Sequence, residues 1–149
     1  MMLLIILLFS LYSLICFAIY FWYRSRIYKM NIYYVVKRFR SPATLHMEFN
    51  KCPVGVGAHE EIYSELCCSL IELQYKGYDR VSFISHLVRK GGKNKILQFL
   101  SLNNMYCEEL TFRPTKYFHK LTNQFLMLFH HKTKIKVHHE SAYMTIKLR

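Results

Sequence analysis

The distribution of apolar and charged residues divides this chain of 149 residues into two parts. Residues Met2–Tyr23 contain no charged side chain, whereas charged residues recur through the rest of the sequence. As a helix rising about 1.5 Å per residue, this run spans roughly 33 Å, more than a hydrocarbon core of about 30 Å. It ends in an aromatic cluster of the kind found at membrane interfaces. The pattern therefore predicts a transmembrane anchor over residues 1–23.

A basic flank follows the apolar run and predicts a juxtamembrane segment over residues 24–40. Six Lys or Arg side chains lie between Arg24 and Arg40, and the first acidic residue is Glu48. We expect these charges to contact anionic lipid headgroups near residues 24–40. The residues expected at the membrane interface are Trp22, Tyr23, Arg24, Arg26 and Lys29.

The apolar run is typical of an uncleaved anchor rather than of a cleaved signal peptide. No basic residue precedes it, it is too long, and bulky aromatic residues occupy its end. Its orientation stays open, in the inner or plasma membrane. The positive-inside rule favours a cytoplasmic domain behind the anchor, whereas an anchor close to the N-terminus also serves as a signal that exports the domain behind it.

Hydrophobic periodicity predicts one α+β domain over residues 41–149, with five or six strands, two long helices and one short helix. Alternation of apolar and polar residues predicts the strands, at 43–50, 81–88, 109–113, 134–139 and 142–148. The last two are expected to form an antiparallel hairpin, and residues 31–40 a stalk or a first strand. The 3.6-residue period predicts the helices, at 58–76, 96–105 and 115–131. The last helix carries a wide apolar stripe of Tyr117, Phe118, Leu121, Phe125, Leu128 and Phe129.

The formal net charge of +12 indicates a negatively charged partner. Nucleic acid, anionic lipid and an acidic protein surface could each use this charge. The basic residues at 89–95 are interpreted as a solvated loop, because the sequence matches no zinc finger, RRM signature or helix-turn-helix. Nucleic acid is therefore an unlikely partner, and lipid and protein remain.

The cysteines give conditional information about topology. The sequence contains five, at Cys16, Cys52, Cys67, Cys68 and Cys107, and no Cys-x-x-Cys pair. If the domain is exported, one disulfide among Cys52, either Cys67 or Cys68, and Cys107 becomes plausible. In the cytoplasm the same residues are interpreted as small buried hydrophobic groups.

Histidines are unusually frequent, with eight in the sequence. None of the spacings typical of metal ligands occurs, so no metal site is expected. Because imidazole changes charge between pH 5 and 8, a pH-responsive role is the alternative to ordinary exposed polar residues. The candidate pH-responsive residues are His119, His130, His131, His138 and His139.

The sequence contains no recognised catalytic motif, and no catalytic residue or cofactor is expected. A nucleophilic Ser would lie in a Gly-x-Ser-x-Gly elbow, which is absent, and Cys107 has no local partner motif. We expect a non-enzymatic single-pass membrane protein whose domain binds and regulates a partner protein in the same membrane. The alternatives are an immunity or superinfection-exclusion protein and an accessory subunit of a membrane assembly.

In its layout the chain is similar to small ToxS-type co-regulators of membrane-bound transcription activators. The matching features are the anchor at Met2–Tyr23, the total size and the lack of catalytic motifs. This resemblance implies an exported sensing or chaperoning domain, which the histidine content would suit. The basic flank at residues 24–40 favours the opposite side of the membrane.

Overall fold

A computed structural model of the chain describes residues 2–24, 27–37, 41–85, 88, 93–132 and 139–149. Its first element is a long helix, α1 (Met2–Arg24). Every side chain from Ile6 to Tyr23 is exposed, and this stretch has a mean hydropathy of 1.9. The helix is therefore long and apolar enough to cross a membrane. A signal sequence near an N-terminus can pass the same test of length and composition.

The rest of the described chain is built on one six-stranded sheet. Its strands are β1 (Ile27–Lys29), β2 (Tyr33–Val36), β3 (Ala43–Met47), β4 (Arg80–Ser85), β5 (Tyr106–Pro114) and β6 (Glu140–Lys147). They lie in the order β1-β2-β3-β4-β6-β5. All neighbours are antiparallel except β3 and β4. The parallel pair requires a crossover, which a helix supplies.

Three helices and one short turn connect these strands. The helices are α2 (Ala58–Tyr75), which forms the crossover between β3 and β4, α3 (Lys93–Leu102) and α4 (Tyr117–His131). A 3-10 turn (Phe49–Lys51) follows β3. Gly77 has φ +83°, a conformation in which glycine carries no steric penalty, and α2 ends just before it.

The core lies between one face of the sheet and the helices α2 and α3. Alternate strand residues point to this face, which is why their burial has a period of two. The buried apolar strand residues are Tyr33, Val35, Ala43, Leu45, Val81, Phe83, Ala142, Met144 and Ile146. The buried residues that α2 and α3 add to the same cluster are Ile62, Leu66, Leu70, Leu73, Ile96 and Leu100.

The fold confirms the predicted mixed α+β class, with four helices and six strands in the described part of the chain. The predicted strand at 134–139 lies almost entirely outside the described residues, and β6 pairs with β4 and β5. Strands β1 and β2 fall within residues 24–40, for which the sequence predicts a juxtamembrane segment. Part of that segment therefore belongs to the sheet, and the predicted domain division stays a prediction.

Replacing a core leucine measures how far the sheet depends on α2. Leu70 is fully buried, so we expect Leu70→Ala to lower the free energy of unfolding by about 2–5 kcal/mol. Leu102, which is 75% exposed at the end of α3, provides the matched control, and Leu102→Ala should have little effect. Denaturant unfolding of the full chain in detergent micelles checks both variants. Equal losses of stability would contradict this description of the core.

Candidate functional site

Helix α4 presents its apolar stripe outward, and we call these six residues the outward face: Tyr117, Phe118, Leu121, Phe125, Leu128 and Phe129. Their side chains are between 45% and 76% exposed. Because successive helix residues differ by about 100°, all six fall within a sector of about 120°. An amphipathic helix ordinarily turns such a stripe to the core. Here no part of the chain that the structure describes covers the stripe.

The opposite side of α4 faces the domain and is mostly polar. Met127 is the buried residue of this helix, and the half-buried Lys120, Asn123 and His131 lie on the same side as Met127. The usual arrangement is therefore inverted, with polar groups inward and aromatic groups outward. Exposed apolar patches of this kind mark sites for a protein or a membrane.

Hydrogen bonds hold the start of α4 to strand β6 and its neighbouring residue, and the end of α4 to the 3-10 turn. Before its first turn, Thr115 Oγ1 lies 2.6 Å from Ser141 Oγ, and the Thr115 N–H donates to the carbonyl of His139 at 2.7 Å. At its last turn, Nε2 of His131 lies 2.5 Å from the carbonyl oxygen of Phe49. These bonds fix the orientation of the helix.

The 3-10 turn beneath the end of α4 is joined in turn to the β1–β2 hairpin. The Lys51 ammonium donates to the carbonyl of Asn31 at 3.0 Å, and the Glu48 N–H donates to the carbonyl of Ile32 at 2.8 Å. The Glu48 carboxylate pairs with Lys51 at 3.0 Å and with Lys29 at 3.4 Å. Hydrogen bonding from Lys51 lowers the pKa of Glu48, with Lys29 adding to this effect against the opposing effect of burial.

A second exposed apolar surface lies on the outer side of α2. Cys68, Ile71, Glu72, Tyr75 and Lys76 line an open groove of about 440 Å³, which we call the α2 groove. Tyr75 is 86% exposed. The apolar positions recur every three to four residues, which places them on one stripe of the helix.

Strand β1 lies beside the α2 groove and contacts two of its residues through Tyr28. The Tyr28 hydroxyl donates to the Glu72 carboxylate, and the Lys76 ammonium lies 4.9 Å from the centre of the Tyr28 ring. The bond to Glu72 raises the pKa of Tyr28, so the phenol stays protonated at neutral pH. Glu72 is thereby held in place beside the groove.

The structure separates most of the candidate pH-responsive histidines. His119 and His130 are exposed on α4, His130 with its ring edge-on to Phe129, and His131 contacts the 3-10 turn. His139 Nδ1 lies 3.0 Å from the Lys120 ammonium. His138 lies outside the described residues. A role in pH sensing stays a prediction.

The five cysteines carry free thiols. Cys52 is buried, Cys67 and Cys107 are half-buried, and Cys68 is exposed in the α2 groove. Burial raises the pKa of Cys52, Cys67 and Cys107, which keeps these thiols protonated and poorly nucleophilic. The predicted disulfide was conditional on export and stays so.

The residues predicted at the membrane interface belong to two elements. Trp22 and Tyr23 are exposed on the last turn of α1, and Arg24 ends that helix. Lys29 ends β1 and pairs with Glu48, so it is part of the sheet as well as of the basic flank. Arg26 lies outside the described residues. Within the described ranges, no group of three His, Cys, Asp or Glu side chains could share a metal ion.

Sequence reasoning missed both apolar surfaces as sites. The stripe of α4 was visible, but its exposure was not, because an amphipathic pattern looks the same whether a domain or another surface covers it. The sequence signal that could have indicated this exposed stripe was the charge around it, since no acidic residue occurs between Glu109 and Glu140. Cys68 was considered for disulfide formation or as a small buried residue, and Ile71 and Tyr75 were not identified.

Comparisons with protein-family models, with curated proteins and with solved structures found no match.

The paired state of Glu48 predicts a pH dependence of stability. Its lowered pKa means that the stabilisation is present above the unfolded pKa, about 4.3, and is lost as the pH falls below it. We expect Glu48→Gln to lower the free energy of unfolding by about 0.5–1 kcal/mol at pH 7. The difference from the parent should shrink as the pH falls below 4.

Thermal unfolding of the full chain in detergent, followed by circular dichroism over a pH series, measures this difference. Lys95→Gln removes an exposed charge on α3 and should leave the pH profile unchanged. A Glu48→Gln effect that is constant from pH 7 to pH 3 would contradict the assignment to the carboxylate.

Proposed function

We propose that this chain is a non-enzymatic, single-pass membrane protein whose α+β domain binds and regulates a partner protein in the same membrane. In this proposal α1 is an uncleaved anchor and the α2 groove is the binding site. The observation that carries the proposal is the groove itself: an exposed, shallow and largely apolar surface of about 440 Å³ beside the first strand after α1.

The chemistry of the groove suits a protein side chain or short helix. Ile71 and Tyr75 supply apolar contact area, and Glu72 and Lys76 supply one charge of each sign at the border. Concave apolar sites with a few placed polar groups are the usual form of a binding site. Amphipathic helices bind in such grooves through residues spaced three and four apart.

The position of the groove supports a partner held in the same membrane. Tyr28, which bonds to Glu72, belongs to β1, and β1 begins at Ile27, three residues after α1 ends. With α1 in the bilayer, the groove lies near the membrane surface. Two proteins anchored in one membrane also meet at a higher effective concentration than in solution.

The non-enzymatic part of the proposal is supported by the state of the cysteines. Thiolate is the nucleophilic form, and burial disfavours it at Cys52, Cys67 and Cys107. Regulation of a membrane-bound transcription activator is the form of this function that the ToxS-like layout implies. Immunity or superinfection exclusion, and an accessory role in a membrane assembly, are the alternatives.

Photo-crosslinking from the α2 groove tests partner binding. With a photoreactive amino acid in place of Tyr75, the full chain in its native membrane should form one discrete protein adduct. Ile71→Glu places a charge in the groove and should reduce the adduct at least tenfold. This follows because an unpaired charge in an apolar contact carries a large desolvation cost.

The matched control places the photoreactive group at Ser64, exposed on the same helix and about 16 Å away along its axis. Adducts of equal yield from both positions, or an adduct unaffected by Ile71→Glu, would contradict the groove as the site. Deleting the crosslinked protein separates the functions. A co-regulator then loses its effect, whereas an exclusion protein still protects the cell.

Charged substitutions in α1 test the anchor. Replacing Leu14 and Ile15 by lysine raises the free energy of membrane insertion by about 2.5–3.5 kcal/mol for each charge at the helix centre. We expect the double variant to lose its resistance to alkaline carbonate extraction. Val56→Lys, at a fully exposed position in the loop before α2, should behave like the parent.

Mass spectrometry of the membrane fraction distinguishes an anchor from a signal sequence. An anchor predicts the full chain with Met2–Tyr23 retained, and a signal sequence predicts a product that lacks this segment. Reporter fusions at residue 149 then determine on which side of the membrane the domain lies.

A further inference from the structure

The outward face of α4 lacks a cover that the described domain could provide. Its six residues project on the side opposite Met127, which is the buried residue of the helix. The bonds at Thr115 and His131 prevent a simple rotation that would bury the stripe. Among the described residues the six side chains therefore stay exposed, and an exposed apolar surface of this kind is typical of a site for a membrane or a protein.

The positive charge around α4 indicates which kind of surface the outward face would contact. From Leu110 to His139 the chain has no acidic residue, six Lys or Arg and five His. The described basic residues of this stretch include Lys116 before the first turn of α4 and Lys132 after its last, both exposed. Aromatic and leucine side chains on one face with basic residues around them are typical of helices that lie in the interface of an anionic membrane.

The path of the chain brings α4 within reach of that interface. Its last turn contacts the 3-10 turn at Phe49, which is bonded to the β1–β2 hairpin through Lys51 and Asn31. Asn31 follows the start of β1 by four residues, about 13 Å of extended chain. The end of α4 is thus joined through the 3-10 turn to the β1–β2 hairpin, the first part of the domain after α1.

We infer that the outward face of α4 inserts into the headgroup region of an anionic bilayer, so that α4 is a second membrane attachment of the domain. Tyr117, Phe118, Leu121, Phe125, Leu128 and Phe129 enter the interface, and Lys116 and Lys132 contact lipid phosphates. This inference rests on the proposed anchor and is independent of the partner at the α2 groove.

The single tryptophan of the chain allows a direct test. With Trp22→Phe as background, Phe125→Trp places the reporter on the outward face and Tyr75→Trp places it in the α2 groove. Both positions are highly exposed, at 65% and 86%. The full chains are reconstituted into vesicles of equal parts phosphatidylcholine and phosphatidylglycerol, with and without bromine on the acyl chains.

The Phe125→Trp reporter should emit at shorter wavelength than the Tyr75→Trp reporter and lose most of its intensity to the brominated lipid. The Tyr75→Trp reporter should be affected little. Phe118→Trp, at a position that is 75% exposed, repeats the measurement if Phe125→Trp does not fold by circular dichroism. Flotation of the full chain with the vesicles after alkaline carbonate treatment shows independently that the anchor is inserted, because this treatment releases proteins that are bound only at the interface.

The lysines make the docking depend on lipid charge. Each lysine near an anionic leaflet strengthens attachment about fivefold, so Lys116→Gln with Lys132→Gln should weaken docking by roughly 25-fold. In mixed vesicles, quenching of the Phe125→Trp reporter should therefore be lower in the chain with both lysines replaced. With both lysines present, quenching should likewise be lower in vesicles of phosphatidylcholine alone than in mixed vesicles. Salt near 0.1 M, where the Debye length is about 10 Å, should reduce it further.

The outcomes separate the two proposals. A chain that floats with the vesicles but shows equally little quenching for the Phe125→Trp and Tyr75→Trp reporters contradicts the docking alone, and makes a protein or a second copy the occupant of the face. A chain that does not float contradicts the anchor and the docking together. Equal quenching in the two lipid mixtures contradicts the selectivity for anionic lipid.

Discussion

Removal of apolar surface from water is the constraint on which the arrangement of this domain depends. Helices α2 and α3 satisfy it for one face of the sheet, and residues such as Leu70 and Ile146 are fully buried between the layers. Helix α4 does not follow the same rule, since its aromatic residues point away from the core. Exposure of that size is unfavourable by about 25 cal/mol for each Å² of apolar area. The outward face is therefore a part of the described domain that does not meet this constraint.

The β1–β2 hairpin links the parts of the molecule that interact with their surroundings. It begins three residues after α1, borders the α2 groove through Tyr28, and is bonded through Lys51 to the turn that supports α4. An antiparallel hairpin joined to β3 transmits orientation because its ladder resists bending. A membrane that fixes α1 and α4 thus also fixes the direction in which the groove opens.

The sequence predicted the elements far better than their partners in space. Alternation identified β3 and β6, and the 3.6-residue period identified α2 and α4 with boundaries correct to within about two residues. The strands β1 and β2 were harder, because basic residues at their borders resemble a juxtamembrane flank. Exposure of Phe125 or Tyr75 could not be predicted, since it depends on which side of a helix the rest of the chain covers. Local periodicity contains no information about that choice.

A tether and an interfacial helix together would restrict the domain more than either does alone. A single helix crossing a bilayer leaves the attached domain free to rotate and tilt, whereas a second contact at α4 removes most of those orientations. A binding surface with a fixed orientation loses less entropy when a partner binds, which raises affinity without any new contact. If α4 docks on anionic lipid as proposed, that orientation would depend on membrane composition. Binding at the α2 groove would then depend on the membrane through α4, although the two surfaces belong to different helices.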